Sequence, residues 1–121
     1  MVHEFHTAFQ LPRPSVPTLD HFGQVLIDLI DEELSELFQA FEAEDIVEMI
    51  DALVDLQYVV AGAAVALGVD LEPFFKAVHD NNMTKVCDKC GKPHYREDGK
   101  VLKPDNYERV DLHTVFERTY N

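Results

Sequence analysis

The residues of this sequence best suited to chemistry are carboxylates that recur at helical spacing in its first half. They form two groups, Glu32, Glu33 and Glu36 in the first and Glu48, Asp51 and Asp55 in the second. With about 100° of rotation per residue, the members of each group lie on one side of an α-helix. Two such acidic stripes can together provide the oxygen ligands of a divalent cation.

Most acidic stripes on helices are simply solvated, and two features of this sequence argue against that interpretation. No basic residue occurs between Arg13 and Lys76, so lysine or arginine on the same helices cannot neutralise either group. Like charges three or four residues apart destabilise a helix. The second group also runs into an apolar stretch beginning at Leu56, where buried carboxylates require a cation or a proton.

The ligand types narrow the choice of metal. Carboxylate oxygens without cysteine or histidine in the same stripes favour a hard cation, Mg²⁺ or Mn²⁺. A carboxylate-bridged di-iron site in a helical bundle uses Glu-x-x-His on paired helices. None of the six histidines has a glutamate three residues before it, which disfavours di-iron.

Two long helices must position these carboxylates. Apolar residues that fall within about 120° of arc predict a helix over residues 19–42. Asp45 can cap a second helix that ends at Leu67, before Gly68. Because the connection is short, the two helices should form an antiparallel hairpin in which the acidic stripes face each other.

Shorter elements surround this hairpin. Residues 1–18 hold three prolines and are expected to form an extended N-terminal arm. Asp70 can cap a third helix that has Pro73 in its first turn and runs to about Asn82. A loop or short hairpin over residues 86–107 precedes a last helix, which Asp111 caps and which continues through Tyr120. The expected fold is all-α, an antiparallel bundle of about four helices with a C-terminal loop or hairpin segment, in one domain over residues 1–121.

The composition limits the partners and the location. The chain has 121 residues, a formal net charge of −13 and 46% hydrophobic residues, which suit one globular domain. Such an acidic chain is a poor match for a nucleic-acid backbone or an anionic membrane. The longest uncharged run, residues 56–69, is too short to span a bilayer, and the first residues lack a secretory pattern. We therefore expect a cytoplasmic protein that binds neither nucleic acid nor membrane.

The two acidic groups resemble the signature of the MazG-like superfamily of all-α nucleoside triphosphate pyrophosphohydrolases. Other stretches, distributed along most of the chain, resemble its phosphoribosyl-ATP pyrophosphohydrolase branch: residues 4–6, 51–60, 78–85 and 96–103. Two features depart from the pattern of this branch. Only 11 residues separate Glu36 from Glu48, which implies a tight hairpin, and the insert from Cys87 to Cys90 is unusual.

The resemblance implies Mg²⁺-dependent cleavage of a nucleoside triphosphate between its α and β phosphates, with Mn²⁺ as a possible substitute. It implies four metal ligands, Glu33, Glu36, Glu48 and Asp51. It also implies a catalytic role for Glu33 and for Glu32, which would bind a further ion or orient the attacking water. Asn82 and Lys85 would contact the substrate. Members of the superfamily assemble as dimers or dimers of dimers.

Three functions stay open at this point. The first is removal of unwanted nucleotides from the cellular pool, and the second is phosphoribosyl-ATP pyrophosphohydrolase activity in histidine synthesis. The third, from another class, is a non-catalytic acidic helical dimer that binds a partner. Whichever function applies, the helix from Leu56 to Leu67 is apolar nearly all round, and this predicts that the protein is at least a dimer.

Cys87 and Cys90 form a Cys-x-x-Cys pair that has two interpretations. They could be part of a zinc site completed by His94, His79 or a neighbouring subunit, because a structural zinc site needs four ligands. The interpretation that we favour is reduced surface thiols, because the chain has no second Cys-x-x-Cys pair. The sequence does not decide between these two.

Overall fold

A computed structural model describes residues 1–86 and 91–121, and these residues form five α-helices and no β-strand. The helices are α1 (Val2–Ala8), α2 (Gln24–Glu42), α3 (Ile46–Leu67), α4 (Glu72–Met83) and α5 (Leu112–Tyr120). The expectation of an all-α fold is therefore confirmed. The chain divides into two compact units, Met1–Asp70 and Leu71–Asn121, each of which is described by itself.

The first unit is built on the predicted hairpin of α2 and α3, which pack along each other. Asp45 caps α3 as expected, because its carboxylate accepts hydrogen bonds from the backbone N–H groups of Val47 and Glu48 at 3.1 and 3.2 Å. The start of α2 is later than expected, at Gln24 rather than near residue 19. Gly23, in an extended conformation, delays the helix.

Both helices of the hairpin end in a Schellman motif. At the end of α2, the N–H of Glu44 donates to Phe41 O at 3.1 Å and the N–H of Asp45 donates to Ala40 O at 3.0 Å. The same pair of bonds ends α3 around Gly68, as the sequence predicted. The residue at the centre of each motif is left-handed, with φ of 54° for Glu44 and 72° for Gly68.

The N-terminal arm differs from the expectation, because its first residues form the helix α1 rather than an extended segment. This helix packs against α3, with the ring of Phe5 edge-on to Tyr58 at 5.7 Å. His6 is buried, and its Nδ1 donates to the carbonyl oxygen of Pro12 at 2.8 Å. A helix of seven residues is too short to show a clear apolar period, so tertiary contacts decide its structure.

The core of the first unit consists of small side chains. The apolar residues with the lowest exposure are Ala40, Ala52, Ala63, Ala64, Val65 and Ala66. By length and hydropathy, α3 could also cross a membrane, which is weak evidence because the core helix of a soluble protein passes the same test. The carboxylates in the first half of α3 oppose burial in hydrocarbon. The expected cytoplasmic location stays a prediction.

The second unit contains α4, α5 and the segment between them. The ring of Phe74 joins α4 to α5, with its centroid 6.5 Å from that of Phe116 and 6.4 Å from that of Tyr120. Helix α5 begins after Asp111, whose carboxylate accepts from the N–H of Thr114 at 3.1 Å, as predicted. In the segment expected to form a loop or short hairpin, one isolated antiparallel bridge joins Tyr95 and Val101.

The start of α4 corrects the sequence-based expectation. Its N-cap residue is Leu71, without a side-chain cap, rather than Asp70. The proline expected in the first turn, Pro73, is there. Proline fixes φ near its helical value and lacks the N–H that a first turn leaves unpaired, so it can start a helix without a cap.

Candidate metal centre

Three carboxylates from the two helices of the hairpin come together in one cluster. Glu33 and Glu36 extend from α2 and Asp55 extends from α3, and one oxygen of each lies within 4.8 Å of the others. Glu33 and Asp55 are half-buried, whereas Glu36 is exposed. Because α2 and α3 both contribute, the hairpin itself creates the cluster.

The remaining predicted ligands lie beside this cluster. Glu48 and Asp51 on α3 line a cavity of about 380 Å³ that Glu36 also lines from α2. Asp51 on α3 is thus near Glu36 on α2, and Asp55, one turn later on α3, is near Glu33, about one turn earlier on α2. This is the correspondence that antiparallel helices require, so Glu36 connects the cluster to the cavity.

Glu33 has an unusual electrostatic environment. The pKa of Glu33 is raised above its ordinary value, and burial of the carboxyl group is the largest cause. The hydrogen bond with Glu36 and the charge of Glu36 raise this pKa further. The charges of Asp55 and Glu32 contribute further, and together these effects raise the pKa of Glu33 to about 6. Its Oε2 is buried and has no hydrogen-bond partner among the residues that the structure describes.

The cluster fits a hard divalent cation. All of its donors are carboxylate oxygens, which Mg²⁺ and Ca²⁺ prefer, and the orphaned Oε2 of Glu33 lacks the partner that a cation would supply. With Mg–O distances of about 2.1 Å, adjacent ligands of an octahedral Mg²⁺ lie about 3.0 Å apart and opposite ligands about 4.2 Å apart. The three oxygens, which lie within 4.8 Å of one another, would draw together around such an ion.

The structure places the predicted site residues in three different settings. Glu33, Glu36, Glu48 and Asp51 lie around the cluster and the cavity. Glu32 is exposed, and its charge contributes to the raised pKa of Glu33. The predicted ligand set omitted Asp55, although its position four residues after Asp51 on the same stripe was a usable signal.

The predicted substrate contacts belong to the second unit. Asn82 is exposed near the end of α4, and Lys85 is half-buried just after it. The backbone N–H of Lys85 donates to the carbonyl oxygen of Asn82 at 3.1 Å. Cys87 and Cys90, the possible zinc ligands, lie outside the described residues.

The fold and the site define the class of this protein. It is an all-α protein in which two antiparallel helices share a cluster of carboxylates that could hold a metal ion. The sequence model of the family described as phosphoribosyl-ATP pyrophosphohydrolase matches residues 2–82, well over half of the chain. The chain therefore belongs to this family, which is part of the MazG-like superfamily. Among curated proteins, none matches the chain.

Membership of the family establishes the general activity. The protein is a nucleotide pyrophosphohydrolase, a hydrolase that acts on acid anhydrides, and its family depends on a metal. A non-catalytic helical dimer is therefore set aside.

Proposed function

We propose that the protein hydrolyses a nucleoside triphosphate between the α and β phosphates in the presence of Mg²⁺, releasing a monophosphate and pyrophosphate. The observation that carries this proposal is the cluster of Glu33, Glu36 and Asp55 across α2 and α3, in a chain of this family. Removal of unwanted nucleotides is the physiological role that we propose for the reaction. Mn²⁺ shares the ligand preference and is the expected substitute.

The carboxylates of the hairpin have separate tasks in this proposal. Glu33, Glu36 and Asp55 hold a cation at the cluster, while Glu48 and Asp51 supply oxygens on the cavity side. When bound, the cation offsets the negative charge that would repel a triphosphate and lowers the pKa of a coordinated water. Glu32, exposed beside Glu33, would accept a hydrogen bond from the attacking water and orient it.

A second candidate substrate is phosphoribosyl-ATP, because the family that matches the chain carries that description. This compound contains the same anhydride, so the same carboxylates would serve. The two candidates differ only in what is attached to the triphosphate. Hydrolysis of either candidate releases pyrophosphate.

A substrate panel tests the proposal. Purified protein is incubated with canonical nucleoside triphosphates, modified ones and phosphoribosyl-ATP, each with Mg²⁺, with Mn²⁺ and with a chelator. We expect metal-dependent release of pyrophosphate from one or more triphosphates. Release of orthophosphate would place the cleavage at another anhydride, and pyrophosphate from phosphoribosyl-ATP alone would favour the second candidate. No release from any compound would contradict both.

A further inference from the structure

The face of the hairpin that carries the carboxylate cluster continues into an apolar cavity. Residues four and seven positions before Glu33 on α2, and four and seven positions after Asp55 on α3, line this cavity. They are Leu29, Leu26, Val59 and Gly62. Spacings of four and seven residues keep side chains on one face of a helix. The cluster and the apolar cavity therefore belong to one stripe of the hairpin, acidic at one end and apolar at the other.

Helix α1 completes the lining of the apolar cavity. Val2, Phe5 and His6 of this helix face the cavity, and the ring of Phe5 lies edge-on to Tyr58, which lines the cavity from α3. All of these residues belong to the first unit, Met1–Asp70, as the carboxylate cluster does. Three helices of one compact unit thus surround a space lined largely by aliphatic and aromatic side chains.

The apolar cavity has the size of one six-membered ring. Its volume is about 160 Å³. An apolar cavity of about 150 Å³ accommodates benzene. A pyrimidine base is a single ring of this size, whereas the two fused rings of a purine need more space. The volume therefore favours a pyrimidine.

His6 places a hydrogen-bond acceptor at the apolar cavity. Its side chain is buried, and its Nδ1 donates to the carbonyl oxygen of Pro12 at 2.8 Å. Because Nδ1 carries the proton, Nε2 of the neutral ring is an acceptor. This atom lies beside Gly62, where an added Cβ atom would be 3.5 Å from it. Each pyrimidine base carries an N–H group on its ring edge that such an acceptor can bind.

The spacing between the carboxylate cluster and the apolar cavity suits a nucleotide. Four to seven residues of a helix correspond to about 6–10 Å, since the rise is 1.5 Å per residue. The sugar of a nucleotide separates its base from its α phosphate by a comparable distance. A molecule with an anionic chain at one end and a flat ring at the other can therefore lie along the stripe.

We propose that the apolar cavity binds the base of the substrate and that this base is a pyrimidine. The assignment to the substrate rests on the proposed function. Gly62 sets the size of the cavity beside His6, because it is the residue at this position of the stripe that lacks a side chain. Phosphoribosyl-ATP carries a purine, so the cavity favours the first of the two candidate substrates.

Binding of non-hydrolysable nucleotides tests the proposal without catalysis. The α,β-imido analogues of UTP, CTP and ATP, in ribose and deoxyribose forms, are titrated in the presence of Mg²⁺. Calorimetry measures their affinity, and NMR follows the ring signals of His6 and Tyr58. We expect a pyrimidine analogue to shift both signals to saturation and the ATP analogues to bind at least tenfold more weakly. Binding of a pyrimidine analogue without these shifts, or equal affinity for ATP, would overturn the proposal.

Kinetics of a variant with a smaller cavity test the role of Gly62. In Gly62→Ala the added Cβ atom lies 3.5 Å from His6 Nε2 and 4.0 Å from Val2 Cγ1, which are ordinary contact distances. Alanine also favours a helix more than glycine does, so the melting temperature should not fall. We expect KM for the preferred pyrimidine triphosphate to rise about tenfold while kcat stays near that of the wild type. The matched control is Gln57→Ala, an exposed position of α3 outside the cavity lining, which should change neither parameter.

The two experiments separate failure of this proposal from failure of the proposed function. A protein that binds a pyrimidine analogue with shifts of His6 and Tyr58, but hydrolyses no nucleotide, would keep the base site and contradict the function. An active enzyme that prefers purine triphosphates, or whose Gly62→Ala and Gln57→Ala variants have equal KM, would keep the function and overturn the base site.

Discussion

At the scale of single residues, the carboxylates of the candidate site destabilise the folded protein when no metal is bound. Glu33 is half-buried among three other carboxylates, and its Oε2 has no partner within the described part of the chain. A protein gains nothing in stability from such an arrangement, because both burial and like charge disfavour the ionised form. The arrangement is explained when a cation supplies the missing charge and the missing partner.

The raised pKa of Glu33 predicts how the stability of the metal-free protein depends on pH. Between the ordinary value of 4.5 and about 6, the folded protein binds more protons at this group than the unfolded chain does. The free energy of unfolding therefore falls as the pH rises through this range, and above it the penalty is complete. Glu33→Gln mimics the protonated form, so it should stabilise the protein at pH 7 and much less at pH 4.5.

This prediction is checked by denaturant unfolding in a chelator at both pH values. Glu42→Gln, which alters an exposed carboxylate at the end of the same helix, is the matched control. The wild type and the Glu42→Gln variant should show the same dependence on pH. A Glu33→Gln variant whose stability differs from that of the wild type by the same amount at both pH values would contradict the assignment.

Glu36 is the residue whose loss should affect the metal most directly, because it belongs to both the cluster and the cavity. Glu36→Gln should abolish turnover supported by Mg²⁺ and should remove the rise in melting temperature that Mg²⁺ causes in the wild type. The metal-free melting temperature should stay the same or increase, since a like charge is removed. Asp51→Asn should behave in the same way.

The matched control for these variants is again Glu42→Gln, which should keep both turnover and stabilisation by Mg²⁺. Near-normal activity of Glu36→Gln at limiting Mg²⁺ would remove this residue from the proposed ligand set. Calorimetric titration with Mg²⁺ distinguishes lost binding from lost chemistry.

Much of the candidate site could be predicted from the sequence, because it depends on which residues share one face of a helix. The spacing of carboxylates on a helix fixes which of them share a face, so the grouping of Glu33 with Glu36 and of Glu48 with Asp51 follows from the sequence. The register between α2 and α3 does not follow from spacing. That register, set by the connection after Glu42, is what brings Asp55 to Glu33 and leaves Glu32 outside the cluster.

At the scale of elements, the connection between α2 and α3 contains a residue that is unsuited to its backbone. Glu44 is at the left-handed position of a Schellman motif, with φ of 54°, and Gly68 is at the same position after α3. A side chain in this region costs about 1 kcal/mol, whereas glycine adopts it freely. Glu44→Gly should therefore stabilise the protein by up to about 1 kcal/mol.

Gly68 provides the opposite control for that prediction. A Cβ atom at Gly68 would lie 2.2 Å from the carbonyl oxygen of Val16, so Gly68→Ala adds a backbone clash to the left-handed strain. We expect it to destabilise the protein by more than about 2 kcal/mol. Urea unfolding of both variants measures the difference. A destabilised Glu44→Gly variant would show that the glutamate side chain makes a stabilising interaction.

The longer the sequence pattern of a helix, the more accurately the sequence predicted that helix. Helix α3 has a capping aspartate, a long apolar run and a glycine end, and both of its limits were predicted correctly. Helix α1 has only seven residues, and its contacts with Tyr58 and the rest of α3 stabilise it. Local sequence does not encode such contacts, so the prediction of an extended arm was wrong there.

At the scale of the whole molecule, the first unit buries small residues and leaves many large apolar side chains exposed. Among the described residues, no large side chain is fully buried, and the core of the hairpin is mostly alanine. On α2, Phe38 is 60% exposed, and on α3, Leu53 and Val54 are 53% and 55% exposed. A soluble monomer rarely leaves so many large apolar side chains in water.

We predict that a second copy of the chain covers these faces, so that the protein in solution is at least a dimer. Helices that expose apolar residues on more than one side are completed by further helices, and two hairpins pack as a four-helix bundle around such residues. Light scattering at micromolar concentration should give at least twice the monomer mass of 13.8 kDa. Phe38→Glu should lower the mass toward that of the monomer without loss of helical circular dichroism, because the monomer already exposes this ring. A wild-type mass of 13.8 kDa under these conditions would contradict the prediction. The apolar faces would then need a different partner.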